Sequence, residues 1–175
     1  THPFAAQISR NAAQAAGQVK VPLWAYRRPA WRPELSDDWR SVTDWPALMA
    51  ALRKFERPFF TIGLEPLRHA ADIPTGQHWL VRCLAAEPPA TPQLTLLCAI
   101  GPFAWEDELA LLRNYRIDVL VAKNSGGGAV EAKLLAARQS RIPVVMLERP
   151  VLPVVDREFD TTERLIEALE AGPLR

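Results

Sequence analysis

Apolar positions along this chain alternate between helical spacing and short unbroken runs, as expected where strands alternate with helices. Phe4, Ile8, Ala12, Ala15 and Val19 recur at helical spacing, which predicts a helix from Thr1 to about Gln18 with Pro3 in its first turn. Residues 21–26 follow as a short strand with Pro22 at its start, where a missing N–H is tolerated. Residues 30–41, with their Trp and Pro residues, read as a connecting loop. Thr43 or Asp44 can cap a second helix that buries Trp45, Leu48, Met49, Leu52 and Phe55. Residues 59–62, 78–84 and 94–100 are apolar strands. Residues 64–77 are loop or short helix, and Pro88, Pro89 and Pro92 form a turn. Trp105, Leu109 and Leu112 mark a further helix face. A last helix is expected from Asp160, with Glu163 three residues on and Leu165, Ile166 and Leu169 on its apolar face.

The stretch around which the rest is organised runs from Asp118 to Pro150. Residues 119–122 are a buried strand, followed by Lys123, Asn124, Ser125 and the glycines Gly126, Gly127 and Gly128. A helix is predicted over 129–139 and a second buried strand over 142–147. This is a strand, Gly-rich turn, helix and strand, which offers unpaired N–H groups and a positive helix dipole to an anion. Lys123 and Ser125 add a cation and a hydroxyl at the same place. The spacing is neither a P-loop nor G-x-G-x-x-G, so the pattern alone indicates a phosphate or carboxylate site and no more.

The alternation predicts an α/β fold with a largely parallel sheet. A boundary at Arg57-Pro58 divides it into residues 1–57 and 58–175. A faint repeat supports two related lobes facing a crevice. Val21-Pro22 with Arg28-Pro29 superposes without a gap on Ile142-Pro143 with Arg149-Pro150, at a shift that also brings His2 onto Lys123. In open α/β sheets a ligand sits off the carboxyl ends of the strands. Those ends are Gly63, Gly101-Pro102-Phe103, Lys123 to Gly127, Arg28 and Arg149, joined by His2.

Composition narrows the function. At 175 residues and 49% hydrophobic the chain can bury a real core. A net charge of +1 argues against nucleic-acid binding by bulk basicity. Seventeen of the 21 basic residues are Arg, which suits bidentate recognition of carboxylates or phosphates. Cys83 and Cys98 both lie in apolar runs and are expected as buried free thiols. His2, His69 and His78 lack metal-ligand spacing, so no metal is expected. Nothing approaches a membrane span, and a cytoplasmic monomer is expected. No nucleophile is evident beside the anion cradle, which suits an enzyme whose cofactor carries the chemistry. A non-catalytic, two-lobed binder of an anionic ligand is the alternative.

Several motifs together resemble the precorrin-6A reductase family of cobalamin biosynthesis. They are Thr1-His-Pro-Phe-Ala-Ala-Gln-Ile-Ser9 with Asn11-Ala12, His78-Trp-Leu-Val-Arg82, Gly101-Pro-Phe103 and Lys123-Asn-Ser-Gly-Gly127. Ala132-Lys133, Ala136-Ala-Arg138, Ile142-Pro-Val-Val-Met146 and Arg149-Pro150 complete the set. The resemblance implies a Rossmann-like fold and an NADPH-dependent reduction of a tetrapyrrole, precorrin-6A to precorrin-6B, or of its cobalt-containing analogue. With that cofactor at the strand ends, its contacts are expected from Gly63, Gly101, Pro102, Phe103, Lys123, Asn124, Ser125, Gly126 and Gly127. Such a substrate bears many acetate and propionate groups, so the strand-end residues His2, Arg28 and Arg149 are expected against its carboxylates. Members of that family carry a strand and a Gly-rich turn before the Thr-His-Pro-Phe motif, so the first lobe is expected to be truncated here.

Overall fold

The structure, a computed structural model, describes residues 2–87, 91–127 and 131–172. Thr1, Pro88, Pro89, Gly128 and Ala129, which figure in the predictions above, lie outside the described residues. The chain divides into two compact units. The smaller holds residues 1–31, 125–129 and 149–175, the larger residues 32–124 and 130–148. The boundary expected at Arg57-Pro58 falls inside the larger unit, because a strand before it belongs to that unit's sheet.

That sheet has six parallel strands. They are β2 (Trp39–Val42), β3 (Pro58–Phe60), β4 (Trp79–Cys83), β5 (Leu94–Cys98), β6 (Val119–Lys123) and β7 (Val144–Leu147). Their order is β2-β7-β6-β3-β4-β5. The chain runs outward from β3 through β4 to β5, returns to β6 on the other side of β3, and continues to β7. The strand order therefore reverses between β3 and β6, which pair at Pro58–Val119 and Phe60–Val121. Strands β3, β4 and β6 are buried almost throughout, the continuous apolar reading expected of a covered parallel sheet. Strand β2 was expected to be loop. Among the described residues it is an edge strand paired with β7, and its Arg40 and Ser41 are exposed, which hides it from an apolar pattern.

Helices α2 (Trp45–Leu52), α3 (Trp105–Asn114) and α4 (Ala132–Gln139) complete the unit, with a 3₁₀ helix over Glu65–Asp72. Asp44 is the cap of α2, accepting from the Ala47 N–H at 2.8 Å. Leu48 and Leu52 are buried as predicted, against Phe60, Trp79 and Val121. Trp79 is seated by its indole N–H, which donates to Gln77 Oε1 at 2.9 Å. The Gln77 amide in turn donates to the Leu52 and Phe55 carbonyls, each at 2.9 Å. A buried glutamine is thus satisfied on both sides, which removes the cost of placing it in the core.

The smaller unit pairs β1 (Trp24–Tyr26) with β8 (Arg157–Phe159) in parallel and carries α1 (Ala6–Val19) and α5 (Thr162–Glu170). Helix α1 starts at Ala6, four residues after His2, so Pro3 precedes it. No α1 residue is buried, and Ile8 and Val19 of its apolar face are exposed. Strand β1 is shorter than residues 21–26 because the chain joins the ladder only beyond Pro22. Strand β8 was not foreseen, since Arg157 and Glu158 are polar and exposed. The cap of α5 is Thr161, which accepts from the Arg164 N–H, one residue beyond the Asp160 expected. Of its face, Ile166 and Leu169 are exposed and Ala168 is the buried residue.

Candidate functional site

Strands β3 and β6 position the first group of predicted residues. Beyond β3, Thr61 donates from both its N–H and its hydroxyl to the Val121 carbonyl, each at 2.9 Å. This ties the carboxyl ends of the two strands together. Gly63 then turns the chain at φ +83°, with open space where a Cβ would stand. Lys123 is the last residue of β6. Burial lowers its ammonium pKa, and the negative charge of Glu65, at the start of the 3₁₀ helix, opposes that shift. Asn124 is buried, and its N–H donates to the Leu147 carbonyl at 2.9 Å. Gly63, Lys123 and Asn124 therefore mark the place where the strand order of the sheet reverses, the position at which doubly wound sheets hold ligands.

Gly101, Pro102 and Phe103 stand elsewhere in the larger unit. They line a cavity of about 350 Å³ with Arg82, Glu108, Glu131, Ala132 and Lys133. The Arg82 guanidinium donates to the Glu108 carboxylate at 2.5 Å and 3.4 Å, and both side chains are buried. Its carbon lies 3.8 Å from the centre of the Phe103 ring and 5.0 Å from that of Phe59. Lys133 pairs with Glu131 at the mouth of α4. Sequence reasoning missed Glu108. It lies next to Leu109 on the buried face of α3, and an acid there signals a buried partner.

Ser125, Gly126 and Gly127 belong to the smaller unit, where they meet His2, Arg28 and Arg149. Arg149 Nη1 donates to the Arg28 carbonyl at 2.7 Å, and Nη2 donates to the Ser125 carbonyl at 2.9 Å. The Gly127 N–H donates to the Pro29 carbonyl at 3.2 Å. Gly126 has φ +67°, and a Cβ there would collide with the Pro29 carbonyl and with Arg149 Nη2. The glycine turn is thus clamped against the chain at Arg28-Pro29, and glycine is required for close backbone approach. The Phe4 N–H donates to His2 Nδ1 at 3.2 Å, which leaves Nε2 to carry the proton it shares with Ser125 Oγ at 3.2 Å. The helix predicted to open on these glycines starts instead at Ala132, with Glu131 as its cap residue. The N–H groups of Gly126 and Gly127 are therefore not those of the first turn of α4.

His2, Arg28 and Arg149 line one cavity of about 640 Å³ in the smaller unit, with Ser9, Trp24, Tyr26 and Arg27 among its walls. Arg27 is engaged there, donating to Glu158 at 2.5 Å and to the Pro153 carbonyl at 2.6 Å. The cavity combines apolar walls with cationic and imidazole groups, which suits a largely apolar ligand bearing carboxylates.

Sheet order, parallel pairing and the strand-end residues define the larger unit as a doubly wound, Rossmann-like α/β domain. The chain matches the family model of precorrin-6x reductase CbiJ/CobK over residues 1–170, and it belongs to that family. A precorrin-6A reductase of Rhodococcus erythropolis is 47% identical over 164 residues, covering 91% of this chain and 65% of the relative. That of Rhodobacter capsulatus is 40% identical over 161 residues, covering 89% and 63%. A solved structure, the CobK precorrin-6A reductase, superposes with a TM-score of 0.86 at 38% identity, covering 98% of this chain and 71% of that one. The chain spans slightly less than two thirds of the two curated relatives it matches here.

Proposed function

We propose that this chain reduces a double bond of a corrin precursor, precorrin-6A to precorrin-6B, with NADPH as reductant. The observation that carries the reading is the reductase-family match over residues 1–170. The strand ends fit a dinucleotide. Gly63 turns the chain beside open space, and Lys123 supplies a part-buried cation at the reversal of strand order. When bound, the nicotinamide supplies the hydride. In this reading Lys123 holds a phosphate, its charge-assisted contact strengthened by partial exclusion of water. Gly63 and Asn124 shape the backbone against the cofactor. Gly101, Pro102 and Phe103 contribute the wall of the second cavity in the same unit.

Arg28 and His2 meet the acetate and propionate groups of the tetrapyrrole in the cavity of the smaller unit. Arg149 acts chiefly by fixing Ser125 and the Arg28 carbonyl, so that the glycine turn keeps its shape. The residues contribute orientation and a cationic setting, the terms on which a cofactor enzyme depends. The setting is a monomer in the cytoplasm. Mixing the protein with NADPH and precorrin-6A, and following the nicotinamide absorbance, tests the assignment. Loss of absorbance that requires the tetrapyrrole is expected. Binding of both ligands with no loss would make the protein a binder and refute the reductase.

A further inference from the structure

The two cysteines are not the pair of buried thiols the sequence suggested. Cys83 is buried, at 5% exposure, whereas Cys98 is exposed. They are the final residues of β4 and β5, and they face each other in register across these parallel strands. The Ala99 N–H donates to the Cys83 carbonyl at 3.0 Å, so the pairing is held just beyond the two thiols. Paired residues of neighbouring strands point to one face of the sheet. Neighbouring strands lie about 4.7–4.9 Å apart, inside the range of roughly 4.4–6.8 Å that a disulfide spans between Cα atoms. Burial raises the Cys83 pKa, and the charge and hydrogen bonding of the Cys98 thiol raise it further, so the two side chains sense each other.

We propose that Cys83 and Cys98 form a reversible thiol–disulfide modification site at the carboxyl edge of the sheet. The oxidant is a peroxide or a small-molecule disulfide. With hydrogen peroxide, the exposed Cys98 thiolate attacks one oxygen, the O–O bond breaks, and Cys98 becomes a sulfenic acid as hydroxide leaves and is protonated. Cys83 then attacks the Cys98 sulfur. The S–S bond forms, the S–O bond breaks, and the hydroxyl leaves as a second water with the Cys83 proton. Two thiols have lost two electrons and two protons, and one peroxide has become two waters. With an oxidised small-molecule disulfide, the same two electrons reduce it to two thiols. Burial holds Cys83 as a thiol and keeps it from bulk oxidant, so it resolves and does not initiate. Exposure of Cys98 leaves the bridge open to reduction by an external dithiol.

The bridge has a structural consequence. Cys83 follows Arg82 directly, and Cys98 stands three residues before Gly101. Both Arg82 and Gly101 line the 350 Å³ cavity. Joining the two strand ends fixes the edge from which that cavity's wall departs. The site is independent of the reductase assignment, because it rests on the strand register and on the burial of Cys83 and exposure of Cys98.

The test uses the whole chain treated with one equivalent of hydrogen peroxide, quenched in acid and alkylated in denaturant. Both cysteines lie on one side of any tryptic cut, since no Lys or Arg stands between Cys83 and Arg113, whereas cleavage after Glu87 separates them. The expected result is a monomer lighter by two hydrogens, whose Glu87-cleaved peptides stay joined until a dithiol is added. Cys83→Ser should leave Cys98 as a sulfenic acid that a cyclic diketone traps, and Cys98→Ser should leave Cys83 unreacted. The proposal is overturned if the treated wild type still alkylates at both cysteines, if Cys98 stays trappable as a sulfenic acid beside an intact Cys83, or if the only disulfide joins two chains.

Discussion

Replacing Gly126 by alanine isolates the clamp that shapes the glycine turn. The residue stands at φ +67°, and its missing Cβ would fall on the Pro29 carbonyl and Arg149 Nη2, with the Pro29 carbonyl carbon at 2.9 Å. Left-handed backbone costs an L-residue about 1–2 kcal/mol. Forcing an extra methyl into a filled site costs about 1–3 kcal/mol. The obstacle is mostly backbone, which cannot swing aside as a long side chain can. The total is therefore about 2–5 kcal/mol of local stability. It should fall on the smaller unit, because Pro29, Ser125 and Arg149 all belong to it. Gly63→Ala is the matched control. It has φ +83° and nothing within 4 Å, so only the backbone cost of about 1–2 kcal/mol applies. Hydrogen exchange read by peptide would locate the loss. Faster exchange in peptides containing residues 23–31 and 149–159, with Trp79–Cys83 unchanged, is expected for Gly126→Ala. Equal protection in Gly126→Ala and the wild type would refute the clamp, as would a loss confined to the six-stranded sheet.

Three further outcomes follow from the same geometry. Lys123→Ala should weaken NADPH binding by about 1.5–3 kcal/mol, roughly tenfold to a hundredfold, the worth of a charge-assisted hydrogen bond; unchanged affinity in a titration would remove Lys123 from the site. Glu108→Ala leaves the Arg82 charge buried without its carboxylate and should cost about 3–5 kcal/mol in denaturant unfolding, with Glu108→Gln recovering part of it; a loss below about 1 kcal/mol would mean the pair is not desolvated. Burial raises the Asp37 pKa, but hydrogen bonds from Arg138 and the Glu34 N–H more than offset it, leaving the pKa below its ordinary 3.8. A depressed acid stabilises the fold above its unfolded pKa and loses that contribution as pH falls through the folded pKa, so Asp37→Asn should lose stability at neutral pH, and that loss should shrink as pH falls below 3.8; a loss that does not change with pH would refute the linkage.

The parts of the fold legible in the sequence were those with predominantly apolar runs. Strands β3, β4, β6 and β7 are buried and short, and the face of α2 through Leu48 and Leu52 packs as its spacing required. What escaped were edge elements. In β2, Arg40 and Ser41 look outward, and in β8 only Phe159 is buried, so neither carries a run of apolar residues. The apolar stripe of α1 gave its helix but not its surroundings, since Ile8 and Val19 are exposed. At the candidate site, glycine and lysine after an apolar run marked the carboxyl end of β6. They could not reveal that Lys123 and Asn124 lie in one unit while Ser125 to Gly127 lie in the other, because that division depends on distant hydrogen bonds such as Arg149 to Arg28. The Arg82–Glu108 pair was invisible for the same reason, its partners being 26 residues apart on different elements.

The reductase reading is tested most directly by following the label from NADPH deuterated at the transferable position into precorrin-6A, with the tetrapyrrole product read by mass spectrometry. The reading predicts a product that carries one deuterium from the cofactor and one hydrogen from solvent. A reduced product bearing only solvent hydrogen, or a tetrapyrrole left unreduced while both ligands are bound, would contradict it.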